Sequence, residues 1–311
     1  MTLATRPLGP DDAQAVAELL VAYDLFHVGE SDGANADDVL DWWRRVAPDG
    51  YIGVLDDDGA IIGVGTLRPR GDGYYLADNF VHPDHRGEGI GTFLLDWAER
   101  RSREDGKPSI RTATTVKDEA GKRLIEGRGY RYIRSFYRMV VDLDEPPPEP
   151  VWPEGFRPAR LQPGEERTLY EVIEGAFEDH WGFEPRTFEE WSSHLPGLAE
   201  RLCYLVRDAQ GTPAAAAICD EERFGTGFVN VLGTVREFRH RGLGEALLRQ
   251  AFHDLYALGR RRVALGVDAE NTTGATRLYE RVGMVVGSQD DAYEKILDPA
   301  GSRDGSKLAG S

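Results

Sequence analysis

The sequence has very little cysteine. Only Cys203 and Cys219 occur in 311 residues, too few for the dense disulfide framework of a small secreted domain. We therefore interpret both as small buried apolar residues and expect a cytoplasmic protein. No apolar run is long enough to cross a membrane, and the N-terminus does not show the pattern of a signal peptide.

Positive charge is also scarce. The chain carries 37 lysines and arginines against 54 aspartates and glutamates, a formal net charge of −17. Nucleic acid is therefore excluded as the main partner, because a phosphate backbone requires a basic surface. The hydrophobic fraction of 41% with 29% charged residues is typical of a globular protein with sizeable cores. Within this acidic chain, the basic residues Arg86, Arg236, Arg239 and Arg241 gather around two glycine-rich segments and predict local anion sites.

These two segments indicate an internal repeat. Residues 86–91 and 239–244 lie 153 positions apart, about half the chain. We predict an N-terminal domain at residues 1–144, a proline-rich linker at 145–153 and a C-terminal domain at 154–298. The glycine- and serine-rich residues 299–311 predict a disordered tail.

The order of predicted elements is the same in both halves. Each half shows a strand, two helices, three strands, a helix, a strand, a helix and two closing strands, the last at 130–143 and 284–297. The fold class is therefore α/β, an α+β mixed sheet covered by helices, twice over.

Each glycine-rich segment joins a strand to a helix. Glycine lets backbone N–H groups approach a ligand, and a helix N-terminus favours negative charge, so phosphate is the natural ligand. A Rossmann loop is excluded because Thr92 and Leu247 occupy the third glycine position, and no Walker motif occurs. His82 and His85 have no Cys or third His nearby, so we propose no metal.

What remains is the pattern R-x-x-G-x-G, present in both halves. This pattern resembles the pyrophosphate-binding loop of the GNAT (Gcn5-related N-acetyltransferase) superfamily, and the element order matches that fold in tandem. The resemblance implies acetyl-CoA as co-substrate, possibly in both domains. The cofactor-binding residues that it implies are Val81, Arg86, Gly87, Glu88, Gly89, Ile90, Gly91 and Thr92, and Val231, Leu232, Gly233, Thr234, Arg239, His240, Arg241, Gly242, Leu243, Gly244 and Glu245.

A second signature of the family follows the fifth strand of the C-terminal half. The resemblance implies that Asn271 helps to hold the pantetheine arm and that Tyr279 protonates the departing thiolate, which a phenol can do. Aligning Gly129 with Gly283 places Lys117 opposite Asn271 and Ile125 opposite Tyr279. Isoleucine cannot donate a proton, so we expect a catalytic C-terminal domain and a catalytically degenerate N-terminal one.

The general base is not evident from the sequence. The fourth strand offers Asn230, which cannot take a proton, whereas His180 and Asp220 are candidates near the expected acceptor site. In the family, backbone N–H groups around Val231 to Gly233 polarise the carbonyl. We expect N-acetylation of the primary amine of a small molecule by a monomer or homodimer, without nucleic acid or membrane partners. The alternative is a non-catalytic acyl-CoA-binding sensor or assembly module.

Overall fold

The computed structural model describes residues 3–31, 33–47, 49–71, 73–193, 195, 198, 201–271 and 273–297. The chain forms two compact units, one of Met1–Ser135 with Gln289–Ser311 and one of Phe136–Ser288. We call them the N-terminal and the C-terminal unit. Their limits differ from the predicted boundaries at 144 and 154, because each unit includes a strand from the other half of the sequence. The predicted tail, 299–311, lies outside the described residues.

The N-terminal unit is a mixed sheet in the order β1-β2-β3-β4-β5-β12. Only β4 and β5 are parallel; the other neighbours are antiparallel. Its elements are β1 (Ala4–Pro7), α1 (Ala13–His27), α2 (Ala36–Trp43), β2 (Tyr51–Leu55), β3 (Ile61–Arg70), β4 (Tyr74–Val81), α3 (Ile90–Glu104), β5 (Ser109–Thr115), α4 (Glu119–Gly127), the start of β6 (Arg131–Asp142) and the end of β12 (Val285–Ile296).

The C-terminal unit repeats this plan in the order β7-β8-β9-β10-β11-β6. Here β10 and β11 are the parallel pair, and β6 pairs antiparallel with β11 from 136 to 142. Its further elements are β7 (Arg157–Arg160), α5 (Glu166–Phe177), α6 (Phe188–Ser193), β8 (Leu202–Arg207), β9 (Pro213–Arg223), β10 (Thr226–Thr234), α7 (Leu243–Ala257), β11 (Arg262–Asp268) and α8 (Ala275–Arg281).

The prediction of two closing strands at the end of each half is wrong. The structure has one continuous strand in each place, β6 and β12. Residues 131–142 contain no glycine or proline, so nothing in this segment ends a strand. In β12, Gly287 stays within the strand, where an added Cβ would lie 3.2 Å from the Val140 side chain. The predicted fold class, an α/β fold with helices on a mixed sheet, is confirmed.

The central strand β9 explains why helices can pack on both faces of the C-terminal sheet. Ala214 to Ala217 are completely buried, and their small side chains let helices approach closely. Ala215 and Ala217 share a hydrophobic cluster with Leu247 of α7, whereas Ala216 shares one with Leu169 of α5. The alternation of side chains along a strand thus assigns α7 and α5 to opposite faces.

Candidate active site

The candidate site begins where β10 and β11 separate. The two strands pair only from Gly227 with Val263 to Val229 with Leu265. Beyond this point β10 remains paired with β9 as far as Thr234, and β11 remains paired with β6 as far as Asp268. Within the described residues, the facing edges of these two strand ends therefore have no sheet partner. Backbone groups at such edges must bind water, side chains or a ligand.

A β-bulge lies at the same place. The register of β10 against β9 shifts between Val229 and Val231, which leaves Asn230 outside the regular pairing. Bulges bend a strand and redirect side chains, often next to active sites. The Asn230 carboxamide is turned to Arg223, whose guanidinium donates to its Oδ1 at 2.8 Å.

A cavity of about 600 Å³ opens at the strand separation. Its volume lies within the range of about 300–1,000 Å³ that is usual for small-molecule sites. The predicted residues that line it are His180, Val231, Leu232, Gly233, Thr234, Arg239, His240, Gly242, Leu243, Gly244, Glu245, Asn271 and Tyr279. Asn230, which was not predicted to be part of the site, lines it as well. Two further predicted residues, Arg241 and Asp220, are not among the lining residues.

The glycine-rich loop forms one wall of the cavity. Gly242 has a left-handed backbone with φ +84° and is the N-cap of α7, whose first N–H groups lack partners within the helix. Gly244 is needed for close packing, because an added Cβ would lie 3.0 Å from Leu278 of α8. His240 also has a positive φ, +61°, which is uncommon for a residue with a side chain.

Arg239 lies at the cavity, but its guanidinium is bound to protein groups. It donates to the Thr234 carbonyl at 3.2 Å, to the Ala176 carbonyl at 3.0 Å and to Asp179 at 3.0 Å. Arg236 also binds Asp179, at 2.5 Å, and these two arginines lower the pKa of that carboxyl. Arg239 therefore fastens the end of α5 to the glycine-rich loop.

Tyr279 places a phenol at the cavity. The side chain is 8% exposed, and burial raises its pKa to about 12. Among the described residues, no group forms a hydrogen bond with its hydroxyl. The phenol is therefore protonated near neutral pH and can donate its proton to a ligand.

His180 follows α5 and lies at the cavity beside Phe177, with ring centroids 4.4 Å apart. Burial lowers the pKa of this histidine and the charge of Arg239 lowers it further, whereas Asp268 and Asp179 raise it. The net direction is downward, so the imidazole is neutral near pH 7 and can accept a proton.

Other predicted residues make contacts that the sequence did not indicate. Asp220 forms an ion pair with Arg201 at 3.0 Å, away from the cavity. Arg241 donates to the Glu237 carbonyl at 3.3 Å. The Asn271 Oδ1 accepts from the Thr273 backbone N–H at 2.7 Å, which orders the turn before α8.

The N-terminal unit keeps the loop but not the rest of this arrangement. Gly87 and Gly89 have φ of +81° and +85°, and Ile90 is buried at the start of α3. Arg86 stacks on the Phe26 ring, 4.1 Å from its centroid, and Glu88 lies 3.3 Å from His85. Gly91 lies against α4, Thr92 is exposed, and Val81 ends β4.

The strands β4 and β5 also separate, after Ala77 and Thr112, but β4 pairs with β3 without a bulge. Tyr23 of α1 lies between the two strand ends. Its ring packs edge-on against Phe80 of β4, with 5.1 Å between the ring centroids. Burial raises the pKa of the Tyr23 phenol, and a hydrogen-bonding interaction with Thr114 of β5 partly offsets that rise. A side chain of this unit therefore occupies the place where the C-terminal unit has its cavity.

Where Tyr279 stands in the C-terminal unit, the N-terminal unit has Ile125. This residue is 5% exposed and belongs to a hydrophobic core cluster. Lys117, opposite Asn271, donates to the Val28 carbonyl at 2.9 Å. Ile125 therefore packs in the core of the N-terminal unit, and Lys117 stabilises local structure there.

Sequence reasoning missed Ala176 and Asp268, which also line the cavity. For Ala176, the internal repeat contained a signal in the sequence. The 153-residue spacing of the two loops also places Tyr23 opposite Ala176 and Phe80 opposite Gly233. In both pairs a large side chain of the first half corresponds to a small one in the second.

The described residues contain neither a side-chain cluster suited to a metal ion nor a membrane-spanning helix. No three His, Cys, Asp or Glu side chains group there so that they could hold a metal ion. In the same part of the chain, no helix is both long and apolar enough to span a membrane.

Comparison with known proteins agrees with this arrangement. The acetyltransferase (GNAT) family model matches residues 14–130 and 166–284. A mycothiol acetyltransferase of Thermobispora bispora is 31% identical over 92% of this chain and 97% of its own length. One from Catenulispora acidiphila is 28% identical over 87% of each chain.

Solved structures show the same fold. A GCN5-related N-acetyltransferase from Sphaerobacter thermophilus has a TM-score of 0.83 with 32% identity and covers 96% of each chain. A tandem GNAT protein from the clavulanic acid biosynthesis pathway has a TM-score of 0.74 with 18% identity, over 96% of this chain and 100% of its own. The chain therefore belongs to the GNAT acetyltransferase family, as a tandem member that transfers an acetyl group from acetyl-CoA to an amine.

Proposed function

We propose that the C-terminal unit carries out the transfer and that its acceptor is the primary amine of a small molecule. The observation that supports this assignment is the cavity at the separation of β10 and β11, lined by the Tyr279 phenol. At the corresponding place, the N-terminal unit has Tyr23 between the strands and Ile125 in the core. A transfer reaction needs an open cleft and a proton donor, and the described part of the C-terminal unit has both.

The glycine-rich loop and the first turn of α7 suit the pyrophosphate of acetyl-CoA. Gly242, Leu243 and Gly244 line the cavity at a helix N-terminus, where backbone N–H groups and the helix dipole favour an anion. Arg239 would act by holding this loop against the end of α5. Binding far from the reacting atoms positions the thioester for reaction.

The separated edge of β10 would polarise the thioester carbonyl. Residues Val231 to Gly233 line the cavity beyond the last residue that pairs with β11. Backbone N–H donors that are held by the fold stabilise the negative charge that develops on a carbonyl oxygen during attack.

Two side chains would move protons. His180 takes a proton from the acceptor ammonium, and the free amine nitrogen forms a bond to the carbonyl carbon. When the tetrahedral intermediate collapses, the carbon–sulfur bond breaks and Tyr279 donates its proton to the thiolate of CoA. The phenolate regains a proton from the amide nitrogen, and the imidazolium releases its proton to solvent, so charge and atoms balance.

The relatives point to a class of acceptor. Proteins named mycothiol acetyltransferase match most of this chain at about 30% identity. We propose mycothiol without its acetyl group as the first acceptor to test. Glucosamine and L-cysteine methyl ester serve as simpler primary amines in the same panel.

The test is the release of CoA from acetyl-CoA with this panel, measured by chromatography together with the N-acetylated product, because two of these acceptors carry a thiol of their own. We expect Tyr279→Phe to lower kcat about 10²- to 10⁴-fold, the usual contribution of a general acid, with an unchanged Kd for CoA. Tyr130→Phe is the matched control, because Tyr130 is a tyrosine of the N-terminal unit that is also buried, at 3% exposure, and does not line the cavity. This control variant should turn over like the wild type.

The alternative function is binding of acyl-CoA without transfer, which the retained loop of the N-terminal unit favours for that unit. It predicts CoA binding by calorimetry but no release of CoA from acetyl-CoA with any amine of the panel. Full activity of Tyr279→Phe would remove this residue from the reaction.

A further inference from the structure

The segment that connects the two halves of the sequence packs beside the glycine-rich loop of the C-terminal unit. The predicted linker, residues 145–153, lies within this unit. Trp152 and Phe156 pack against a hydrophobic cluster that contains Leu243, the first residue of α7. The segment therefore shares a core with the helix that begins at the loop.

A tight turn sets the course of this segment. The Phe156 backbone N–H donates to the Pro153 carbonyl at 3.1 Å, and Gly155 between them has a φ of +83°. A hydrogen bond from the fourth residue to the first, with a positive φ at the third, is typical of a type II β-turn, which favours glycine at that position. The turn therefore brings its two ends, Pro153 and Phe156, close together.

Both ends of this turn contact the glycine-rich loop. Pro153 lies against Gly242, the N-cap of α7, where an added Cβ would lie 3.6 Å from the proline Cγ. The rings of Phe156 and Phe238 form a T-shaped pair, with 5.8 Å between their centroids and 89° between their planes. Phe238 lines the cavity and directly precedes Arg239, the first residue of the loop. The turn therefore supports the loop at its start and at the beginning of α7.

The same loop is also held by the end of α5. Arg239 donates to the Ala176 carbonyl at 3.0 Å and to the Asp179 carboxylate at 3.0 Å. The loop thus has two supports, a polar one from α5 and an apolar one from the turn at 153–156. A loop that is already held in its bound conformation loses less freedom when a ligand binds.

The repeat shows that the aromatic pair belongs to the unit with the cavity. Strands β1 and β7 begin 153 residues apart, which is also the spacing of the two loops. At this spacing, Leu3 corresponds to Phe156. His85 corresponds to Phe238, and its imidazole lies 3.3 Å from Glu88 of its own loop. The N-terminal unit therefore keeps the loop without this aromatic support.

We infer that the turn at 153–156 is a positioning element for acetyl-CoA, in which Phe156 acts through Phe238 to hold the glycine-rich loop in the conformation that binds pyrophosphate. This inference rests on the proposed function, since it names residues that prepare the cofactor site. Phe156 does not line the cavity, so its effect on the ligand passes through the loop. Without its ring, the loop has to be ordered when acetyl-CoA binds, and this ordering lowers the affinity.

The inference is tested by calorimetry of CoA binding to the full chain with Phe156→Ala. We expect the Kd for CoA to rise about 2- to 10-fold, the factor that corresponds to the loss of one aromatic pair. The KM for mycothiol without its acetyl group should stay within about twofold, because the turn does not touch the acceptor. Phe156→Tyr keeps the ring and should restore the Kd. If Phe156→Ala does not fold, Phe156→Leu, which keeps an apolar side chain but removes the aromatic pair, replaces it.

Hydrogen exchange gives a second readout, on the loop itself. Without ligand, the backbone amides of residues 238–246 should exchange faster in Phe156→Ala than in the wild type, whereas those of β8 and β9 should not change. Saturating CoA should slow the exchange of the same loop amides again, because the bound pyrophosphate orders them. A general loss of stability would instead speed up exchange throughout the C-terminal unit.

The matched control is Phe188→Ala in the same unit. Phe188 is also a partly buried phenylalanine in an aromatic pair, 5.6 Å from the Tyr170 ring, but it packs against a different cluster and does not line the cavity. It should leave the Kd for CoA unchanged. An unchanged Kd in a folded Phe156→Ala variant, or an equal rise in Phe188→Ala, would overturn the inference. Binding of CoA by the wild type without acetyl transfer would instead overturn the proposed function.

Discussion

At the scale of single residues, one position shows how the two loops differ. Gly87 and His240 occupy the same place in the repeat, and both have a left-handed backbone, with φ of +81° and +61°. Only glycine takes this conformation without cost, so the loop of the C-terminal unit carries backbone strain that the other loop does not.

This strain can be measured with His240→Gly. A left-handed backbone costs a residue with a side chain about 1–2 kcal/mol, and the greater freedom of glycine in the unfolded chain returns about 0.5–1 kcal/mol. We therefore expect His240→Gly to raise the free energy of unfolding by about 0.5–1 kcal/mol. Chemical denaturation followed by fluorescence measures this change.

The reverse exchange, Gly87→His, is the matched control. It should lower the stability of the N-terminal unit by a similar amount and leave turnover unchanged. A loss of stability in His240→Gly would mean that contacts of the imidazole outweigh the backbone strain.

At the scale of elements, the ends of α1 and α5 decide whether a cleft is filled or open. Tyr23 contacts Phe80 in the N-terminal unit, whereas Gly233 lies against Ala176 in the C-terminal unit. An added Cβ at Gly233 would lie only 2.7 Å from the Ala176 Cβ, so this helix end approaches the strand as closely as glycine permits. The same helix and strand thus produce a filled cleft or a cavity, depending on two side chains.

Exchanging these residues tests the asymmetry of the units. Tyr23→Ala should destabilise the protein by about 2 kcal/mol, the lower end for large-to-small changes, and leave acetyl transfer unchanged. Ala176→Tyr should place a phenol in the cavity and abolish transfer. Release of CoA from acetyl-CoA and thermal unfolding of both variants measure these effects.

A folded Ala176→Tyr variant that retains full turnover would contradict the proposed site. Loss of turnover in a folded Tyr23→Ala variant would instead assign a role in transfer to the N-terminal unit.

At the scale of the whole molecule, each unit includes one strand from the distant half of the sequence. Residues 290–296 of β12 pair with β5 from Ser109 to Thr115 in the N-terminal unit, and residues 136–142 of β6 pair with β11 in the C-terminal unit. Tyr293 is 1% exposed and shares a core cluster with Ile110 and Tyr130. Strand β12, which comes late in the sequence, therefore completes the core of the N-terminal unit.

Tyr293→Ala tests this exchange of strands. We expect a loss of about 3–5 kcal/mol, the usual cost of truncating a buried aromatic side chain. Hydrogen exchange should show the loss of protection first at β5, in the N-terminal unit, although the substitution lies near the end of the sequence. Loss of protection confined to β10 and β11 would contradict this assignment.

Much of this protein could be predicted from its sequence because the signals are local. Alternating apolar residues and turn residues predicted the order of strands and helices that both units have, apart from the division of the closing strands. Glycine and arginine spacing identified the loop, and the substitution of Tyr279 by Ile125 in the repeat indicated which half could donate a proton. Each of these features depends on neighbours along the chain.

Other features were decided only by tertiary structure, because they depend on residues that are distant in sequence. The membership of β12 in the N-terminal unit depends on pairing over more than 170 residues. The guanidinium of Arg239 is bound by Ala176 and Asp179, some 60 residues away, and Asp220 lies outside the cavity because Arg201 binds it. The sequence by itself determined which chemical groups the chain carries, whereas the register of the strands and the separation of β10 from β11 decided that His180, Asp268 and Tyr279 share one cavity.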